Sequence, residues 1–394
     1  MNSVLASEAQ LYFERGGPFY RLMQRIGLIR GEGPDVPRRI VAFLVLTWLP
    51  LLVLASLEGR ALGLTPRESF LLDFATYARF FVCVPLLIGA EIIIGPRLTI
   101  NAQHFLRAGL LRTDDFPAFD EAAARVARRR ESLTAEAVLV CLALVGAWGS
   151  YHSIYAGGEA TWHVVATGSG HRFSLAGLWY NAVAIPLLQF LFYRWLWRLT
   201  IWTGFLWDMS RLNLKLVVTH PDQAGGLGFL GDAQLPFGLL SAAMGSVLSA
   251  EAAFRIVFEG AQISSFKLPF AAYLILSEVL FLGPLLVFLP LLSRARREGL
   301  WTYSALTNRY NQSFHEKWAE GRAPTDEQLL GSSDIQSLAD LGNSFDMIRA
   351  MKPFPFRIQD ILRMAVLAAL PVLPVVPLAI PVAEIMKILA KMLM

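Results

Sequence analysis

Seven long apolar segments constrain the fold of this chain more than any short motif does. A transmembrane helix needs roughly 20 mostly apolar residues to cover about 30 Å of hydrocarbon. The segments are 40–57, 76–94, 135–151, 175–195, 235–258, 268–292 and 364–385. Because backbone groups in lipid must be hydrogen-bonded within the segment, each is expected to be helical. The sequence therefore predicts an all-α, polytopic membrane protein with about seven transmembrane helices and a small cytoplasmic helical layer.

The composition supports a surface that faces lipid. Only 17% of the residues are charged, against about 25% in a typical soluble protein. Hydrophobic residues make up 55% of the chain, and the mean hydropathy is +0.48. The two cysteines are too few for a disulfide framework. A soluble globular domain is excluded on these grounds.

Arginine and lysine gather in alternate connectors between the apolar segments. Six arginines precede the first segment, the connector after the second contains the run Arg128–Arg130, and the one after the sixth begins "RARRE" at Arg294. The connectors 58–70, 156–174 and 259–267 hold few. Positively charged connectors stay on the cytoplasmic side, so the pattern predicts a cytoplasmic N-terminus. It also explains the net charge of +4 without a nucleic-acid partner.

Four regions follow from this topology. Residues 1–39 form a cytoplasmic segment whose "PFYRLMQRIGLI" predicts an amphipathic helix lying on the membrane surface. Residues 40–292 form a membrane domain with six spans and cytoplasmic helical loops. Residues 293–362 are a cytoplasmic insertion, in which 303–318 and 332–351 are expected to pair as a helical hairpin. Residues 363–394 hold a proline-rich last span, which its prolines must kink or partly unwind, and a short tail.

A glycine pattern lies ahead of the fifth segment, in "VVTHPDQAGGLGFLGDAQLPF" (217–237). Gly226, Gly228 and Gly231 spell G-x-G-x-x-G, but a dinucleotide site needs a βαβ unit, and here an apolar span follows. The pattern instead favours an irregular loop at the inner membrane surface. Two further interpretations stay open, a turn held by Asp222 and an inner gate. The gate candidates are His220, Asp222, Gly225 and Gly226. No spacing matches a metal motif, and no cofactor is predicted.

Charged residues inside the spans are the other candidates, because they are costly in lipid and usually functional. Glu278 lies ten residues into the sixth segment, roughly 15 Å deep at 1.5 Å per residue. Glu91 lies near an inner end, and Glu251 and Arg255 are spaced to pair with each other nearer the outer side. We expect Glu278 to serve a proton or ion path, or alternatively to hydrogen-bond a neighbouring helix. The small residues of the fifth span line a polar path or form a packing seam.

Two segments carry a resemblance to a known group of proteins. "HPDQAGGLGFLG" (220–231) and "SSDIQSLADLGNSF" (332–345) resemble segments of uncharacterised bacterial multi-pass inner-membrane proteins. The resemblance implies location in a bacterial inner membrane and implies no activity.

The sequence thus supports two functional hypotheses. The first is passage of an ion or small solute by a polar path near Glu278, with Glu91, Glu251 and Arg255 as auxiliary groups. The second is a membrane scaffold or signalling subunit that binds a cytoplasmic protein through 334–351. A third, an enzyme acting on a lipid-linked substrate, has no nucleophile–base pair, zinc motif or paired aspartates to support it. The expected partners are the lipid bilayer and, through the small-residue spans, a second copy of the chain.

Overall fold

The computed structural model describes residues 11–13, 15–30, 33, 35–156, 160–167 and 170–378. Within them the chain is almost entirely helical. The helices are α1 (Pro18–Arg25), α2 (Val36–Leu57), α3 (Phe74–Arg107), α4 (Phe116–Arg130), α5 (Leu133–Ala156), α6 (Leu175–Ser210), α7 (Phe229–Glu259), α8 (Ile263–Ala319), α9 (Ser333–Ala350), α10 (Ile358–Ala369) and α11 (Val375–Leu378). One short antiparallel hairpin, β1 (Val164–Thr167) and β2 (Gly170–Phe173), pairs Val164 with Phe173. Short 3₁₀ turns lie at Pro66–Glu68, Phe70–Leu72, Thr113–Asp115 and Leu370–Val372.

Six helices of the described residues are long and apolar enough to cross a membrane: α2, α3, α5, α6, α7 and α8. They coincide with the first six predicted segments and confirm an all-α polytopic architecture. The seventh segment is described only as far as residue 378, where α10 ends at Ala369 and α11 is four residues long. Its remainder, 379–385, and the tail lie outside the described residues. The count of seven therefore stays a prediction.

The long helices are interrupted where prolines fall. α2 breaks at Thr47, α3 and α6 contain π-helical stretches at Ala78–Cys83 and Tyr180–Ala184, and α7 and α8 contain 3₁₀ stretches at Leu235–Phe237 and Gly283–Phe288. The prolines at or just after these interruptions are Pro50, Pro85, Pro186, Pro236 and Pro284. A proline has no N–H to donate and clashes with the carbonyl four residues earlier, so the helix locally changes its hydrogen-bond step. The same effect divides α10 from α11, as predicted.

The connectors gather at two ends of the bundle. At the arginine-rich end, the amide of Lys215 donates to the carbonyl of Leu110 at 2.7 Å, which joins the connectors 108–132 and 211–228. At the opposite end, Arg67 forms a 2.7 Å ion pair with Glu259, which joins the connectors 58–73 and 260–262. The alternation of charge that the sequence shows is therefore an alternation between two ends of the structure.

Helix α7 lies in the middle of the bundle and packs closely against α8 and α10. A Cβ on Gly238 would stand 2.7 Å from Leu367 of α10, and one on Gly245 would stand 2.6 Å from the hydroxyl of Tyr273 in α8. The Ser241 hydroxyl of α7 hydrogen-bonds the Ser277 hydroxyl of α8. Small residues permit this approach, as expected for a transmembrane packing seam.

The insertion 293–362 forms the predicted helical hairpin, between the C-terminal half of α8 and α9. Asp334, at the start of α9, accepts hydrogen bonds from Lys317 Nζ at 2.9 Å and from Trp318 Nε1 at 3.0 Å. The hydroxyl of Tyr310 donates to the carbonyl of Asp334 at 3.2 Å. Ile348 is buried near the other end of α9. The two helices contact each other along one face of each, and most of the remaining hairpin surface is exposed.

Candidate functional site

Asp222 organises the glycine-rich loop. Its Oδ1 accepts hydrogen bonds from the backbone amides of Ala224 at 2.8 Å and Gly226 at 3.2 Å, and its Oδ2 accepts one from Gly228 at 2.8 Å. Burial alone raises the pKa of this carboxyl, but the three amides outweigh it and hold the pKa below its ordinary value. The amides that would cradle a phosphate are thus occupied by the chain's own carboxylate.

The glycines serve this loop and the segment packed on it. Gly225 and Gly226 have φ angles of +66° and +95°, which side chains rarely adopt. A Cβ on Gly228 would stand 2.9 Å from the Cβ of Asp222, and one on Gly231 would stand 2.8 Å from Oδ2 of Asp360. The G-x-G-x-x-G pattern therefore reflects close packing within the loop and against α10. Residues 214–218, which could have formed a strand, are irregular.

A connecting segment, residues 351–357, joins the hairpin of α8 and α9 to this loop. The amide of Lys352 donates to the carbonyl of Gln223 at 2.8 Å. Arg357 then reaches Asp232 of α7 at 3.2 Å. The first contact joins the end of α9 to the loop, and the second joins the start of α10 to the first turn of α7.

The loop borders a cavity of about 690 Å³ at the arginine-rich end. All four predicted gate residues, His220, Asp222, Gly225 and Gly226, line it. Other lining residues with polar or aromatic side chains are His104, Lys215, Phe229, Asp232 and Arg357. Nδ1 of His220 lies 2.8 Å from Oδ1 of Asp222, a distance at which an imidazole N–H donates to a carboxylate. The cavity carries both signs of charge and is large enough for a small polar solute.

Glu91 belongs to a buried cluster of arginines. Its Oε1 lies 2.9 Å from Nη1 of Arg198 and 4.0 Å from Nη1 of Arg194, and its Oε2 accepts a hydrogen bond from Arg39. All four residues are buried. Glu136 of α5 adds a second carboxylate, 4.0 Å from Nε of Arg194. The cluster joins α2, α3, α5 and α6, so it binds the helices together at the arginine-rich end.

Glu278 has a different environment. Both carboxyl oxygens are covered by protein, and neither has a hydrogen-bond partner among the described residues. Gln234 of α7 is fully buried, and both atoms of its amide also lack partners within the described part of the chain. The hydroxyl of Ser249, further along α7, is in the same state. Buried polar groups are normally hydrogen-bonded, so each of these three positions calls for a water molecule or an ion.

Glu251 and Arg255 form the predicted pair, with 2.9 Å between Nε and Oε1. Both are largely exposed and line a cavity of about 170 Å³ at the opposite end, together with Phe254 and Glu259. Glu251 and Arg255 are therefore at the far end of α7 from the glycine loop. Of the predicted path residues, Glu91 stands apart, because its contacts are with α2 and α6 and not with α7.

Sequence reasoning missed a polar cluster beneath the opposite-end cavity. Asp73 accepts hydrogen bonds from Trp162 Nε1 at 2.9 Å and from Thr76 Oγ1 at 2.6 Å. Burial raises the pKa of Asp73, but the charge of Arg79 and the hydrogen bonds from Thr76 and Trp162 outweigh it and lower the pKa. Burial lowers the pKa of His163 to about 3, so this imidazole is neutral. The one sequence signal was Asp73 itself, an acid three residues before Thr76 at the start of an apolar segment.

No group of three or more His, Cys, Asp or Glu side chains with metal-binding geometry occurs among the residues that the structure describes. Comparisons with protein-family models, with curated proteins and with solved structures find no match to this chain.

Proposed function

We propose that this integral membrane protein passes an ion or small solute along α7, with Glu278 as the deep polar group. The observation that carries the proposal is the pair of polar cavities at the two ends of one membrane-spanning helix. Phe229 and Asp232 of α7 line the larger cavity, and Glu251, Phe254 and Arg255 of the same helix line the smaller one. Asp232 and Glu251 are 19 residues apart, about 28 Å along a helix, which matches the hydrocarbon thickness of a bilayer.

Buried polar atoms mark the stretch between the cavities. Gln234 and Ser249 lie on α7 between them, and both are unpartnered among the described residues. Glu278 follows Ser277, whose hydroxyl contacts Ser241 of α7. These groups offer oxygen atoms at successive depths, which suits the transfer of a proton or the coordination of a cation. A proton or monovalent cation is therefore the first species to test.

The close contacts of Gly238 and Gly245 lie between the two cavities and have a role in the proposed passage. They close α7 against α10 and α8 between the two cavities. In the proposed mechanism this seam is the barrier, and the solute reaches one cavity at a time. The loop at His220, Asp222, Gly225 and Gly226 then acts as a gate, because it is fastened to the segment 351–357 through Gln223. The proposal places the protein in a bacterial inner membrane with its N-terminus in the cytoplasm.

Flux measured in vesicles tests the proposal. The purified full chain is reconstituted in vesicles, a proton, Na⁺ or K⁺ gradient is imposed in turn, and a dye sensitive to that ion inside the vesicles reports its entry. We expect flux from the wild type, and flux near the level of empty vesicles from Glu278→Gln, which keeps the size of the side chain. The matched control is Glu298→Gln, an exposed carboxyl on the cytoplasmic part of α8. Equal flux from Glu278→Gln and wild type would contradict the role of Glu278, and no flux above empty vesicles from any gradient would contradict conduction of these ions.

A second candidate function, a scaffold that binds a cytoplasmic protein through 334–351, is favoured by the hairpin itself. Trp301 of α8 and Ile335 and Met347 of α9 are exposed apolar side chains on its surface. A photo-crosslinking residue at position 347 of the full chain tests this in cells. A discrete product that persists in Glu278→Gln would support the scaffold, and its loss in that variant, or its absence altogether, would count against it. Homo-oligomerisation stays a prediction.

A further inference from the structure

A long apolar groove lies beside the arginine-rich end, away from α7. It lies between the interfacial helix α1 and the membrane-spanning helices α5 and α6, and its volume is about 420 Å³. Phe19 and Leu22 of α1, Ala137, Val140 and Leu144 of α5, and Leu187 of α6 line it. The carboxylate of Glu136 is the one charged group in the lining. The groove therefore presents hydrocarbon along its length and polar chemistry at one end.

Helix α1 is fastened over this groove by two carboxylates. The amide of Gly17 donates to Oε1 of Glu131 at 3.0 Å, and the amide of Phe19 donates to Oε2 of Glu136 at 2.7 Å. The guanidinium of Arg194 lies over the ring of Phe19, 4.5 Å from its centroid. Carboxylates at the first turn of a helix are favourable both as caps and with its dipole. Specific contacts with Glu131, Glu136 and Arg194 therefore hold α1 in place over the groove.

The dimensions of the groove indicate its occupant. From Leu133 to Leu144 the lining of α5 spans eleven residues, roughly 16 Å into the membrane. About 420 Å³ over that length leaves a mean cross-section of roughly 26 Å². This admits one hydrocarbon chain, whereas an α-helix with its side chains is about 10–12 Å across.

Arginines near the groove favour lipids with anionic headgroups. Arg25 lies one helical turn beyond Leu22 on α1, is exposed, and makes no salt bridge within the described residues. Arg128 and Arg129, at the end of α4, are also exposed and precede Leu133. Arg21 is paired with Glu131. Basic groups between helices at the cytoplasmic side of a membrane attract anionic headgroups.

We propose that this groove is a binding site for an anionic phospholipid. One acyl chain lies between α5 and α6 under α1, and the headgroup phosphate contacts Arg25 and the exposed arginines that end α4. This site is independent of the proposed passage along α7, since it shares no lining residue with either cavity there.

Native mass spectrometry of the full chain in detergent tests the site, with thermal unfolding as a second readout. Phosphatidylglycerol and phosphatidylcholine of the same acyl composition are titrated separately. We expect retained lipid and a rise in melting temperature with phosphatidylglycerol at several-fold lower concentration than with phosphatidylcholine, because a ligand stabilises the state that binds it. Equal binding of the two lipids would overturn the anionic selectivity.

Two variant pairs locate the effect. Ala137→Trp fills the groove from an exposed lining position, and Val138→Trp places the same bulk one residue on, outside the lining. Arg25→Gln removes the unpaired charge beside the groove, and Arg309→Gln removes an exposed charge on α8 far along the chain. We expect lipid retention to fall in Ala137→Trp and Arg25→Gln and to hold in both controls. Equal retention within either pair, or the mass of a second chain in place of lipid, would overturn the proposal.

Discussion

Glu91 and Glu278 are two buried carboxyls in membrane-spanning helices, and the structure gives them opposite surroundings. Glu91 is surrounded by Arg39, Arg194 and Arg198, whereas Glu278 has no hydrogen-bond partner among the described residues. Ion pairs with arginines offset the free-energy cost of placing the Glu91 carboxyl in the membrane. No contact among the described residues offsets that cost for Glu278. An ionisable residue in a span therefore marks a function only when its own fold does not neutralise it.

The largest expected effect comes from breaking the paired site. Glu91→Gln keeps the shape of the side chain but leaves three buried arginines facing one another with only Glu136 nearby. We expect a loss of about 3–5 kcal/mol in the free energy of unfolding, as for other buried ion pairs that lose one partner. Unfolding in mixed micelles measures it, with Glu298→Gln on the exposed part of α8 as the control. A loss no greater than that of the control would mean that the cluster is not what holds α2, α3 and α6 together.

Removing the carboxyl of Glu278 should raise the free energy of unfolding, whereas removing that of Glu91 should lower it. Glu278→Leu replaces two covered oxygens, which have no partner in the described part of the chain, by hydrocarbon of similar size. Because an unsatisfied buried polar group costs about 1–3 kcal/mol, we expect this variant to be more stable than the wild type by about that amount. The same unfolding assay checks it. A destabilised Glu278→Leu would show that the carboxyl has a structural partner and that the contrast with Glu91 is false.

The sequence predicted the parts of this comparison that depend on local pattern. Length and apolarity located six spans, and helical spacing located the hairpin and the pairing of Glu251 with Arg255 four residues away. The partners of Glu91 are 52 residues before it and 107 residues after it. Helical periodicity carries no information on contacts at that separation, so the sequence predicted a depth for Glu91 and Glu278 but not their surroundings.

The glycine loop shows the same limit at a smaller scale. Three glycines in a familiar spacing could be excluded as a nucleotide site because no strand could follow them. Glycine is required at two of these positions because a side chain would clash, at Gly228 with Asp222 in the loop and at Gly231 with Asp360 of α10. The first contact is local and was considered as a turn, whereas the second spans 129 positions and left no sequence signal.

An intermediate effect is expected at Asp222, whose charge is stabilised by backbone amides instead of arginines. Its folded pKa lies below the unfolded value of about 3.9, so its contribution is complete above that pH and is lost as pH falls through the lower folded pKa. Asp222→Asn should cost about 1–3 kcal/mol at pH 7. The difference from wild type should shrink below about pH 4. Unfolding measured against pH checks this, with exposed Asp346→Asn as the control, and a difference that is constant with pH would exclude the charge as its cause.

We expect the smallest change in the free energy of unfolding at Glu251. Like Glu91 it is paired with an arginine, but its ion pair is exposed instead of buried. Its ion pair with Arg255 has good geometry, but the two side chains are 44% and 51% exposed. Exposed pairs four residues apart on a helix contribute about 0.3–0.5 kcal/mol, because solvent already stabilises both charges. Glu251→Gln should therefore change the free energy of unfolding by less than about 0.5 kcal/mol, while in the flux assay it alters the charge of the opposite-end cavity and should weaken cation entry. A large loss of stability would place this pair with Glu91 as a structural contact. A small one together with unchanged flux would remove the smaller cavity from the proposed path and leave Glu278 as its only tested member.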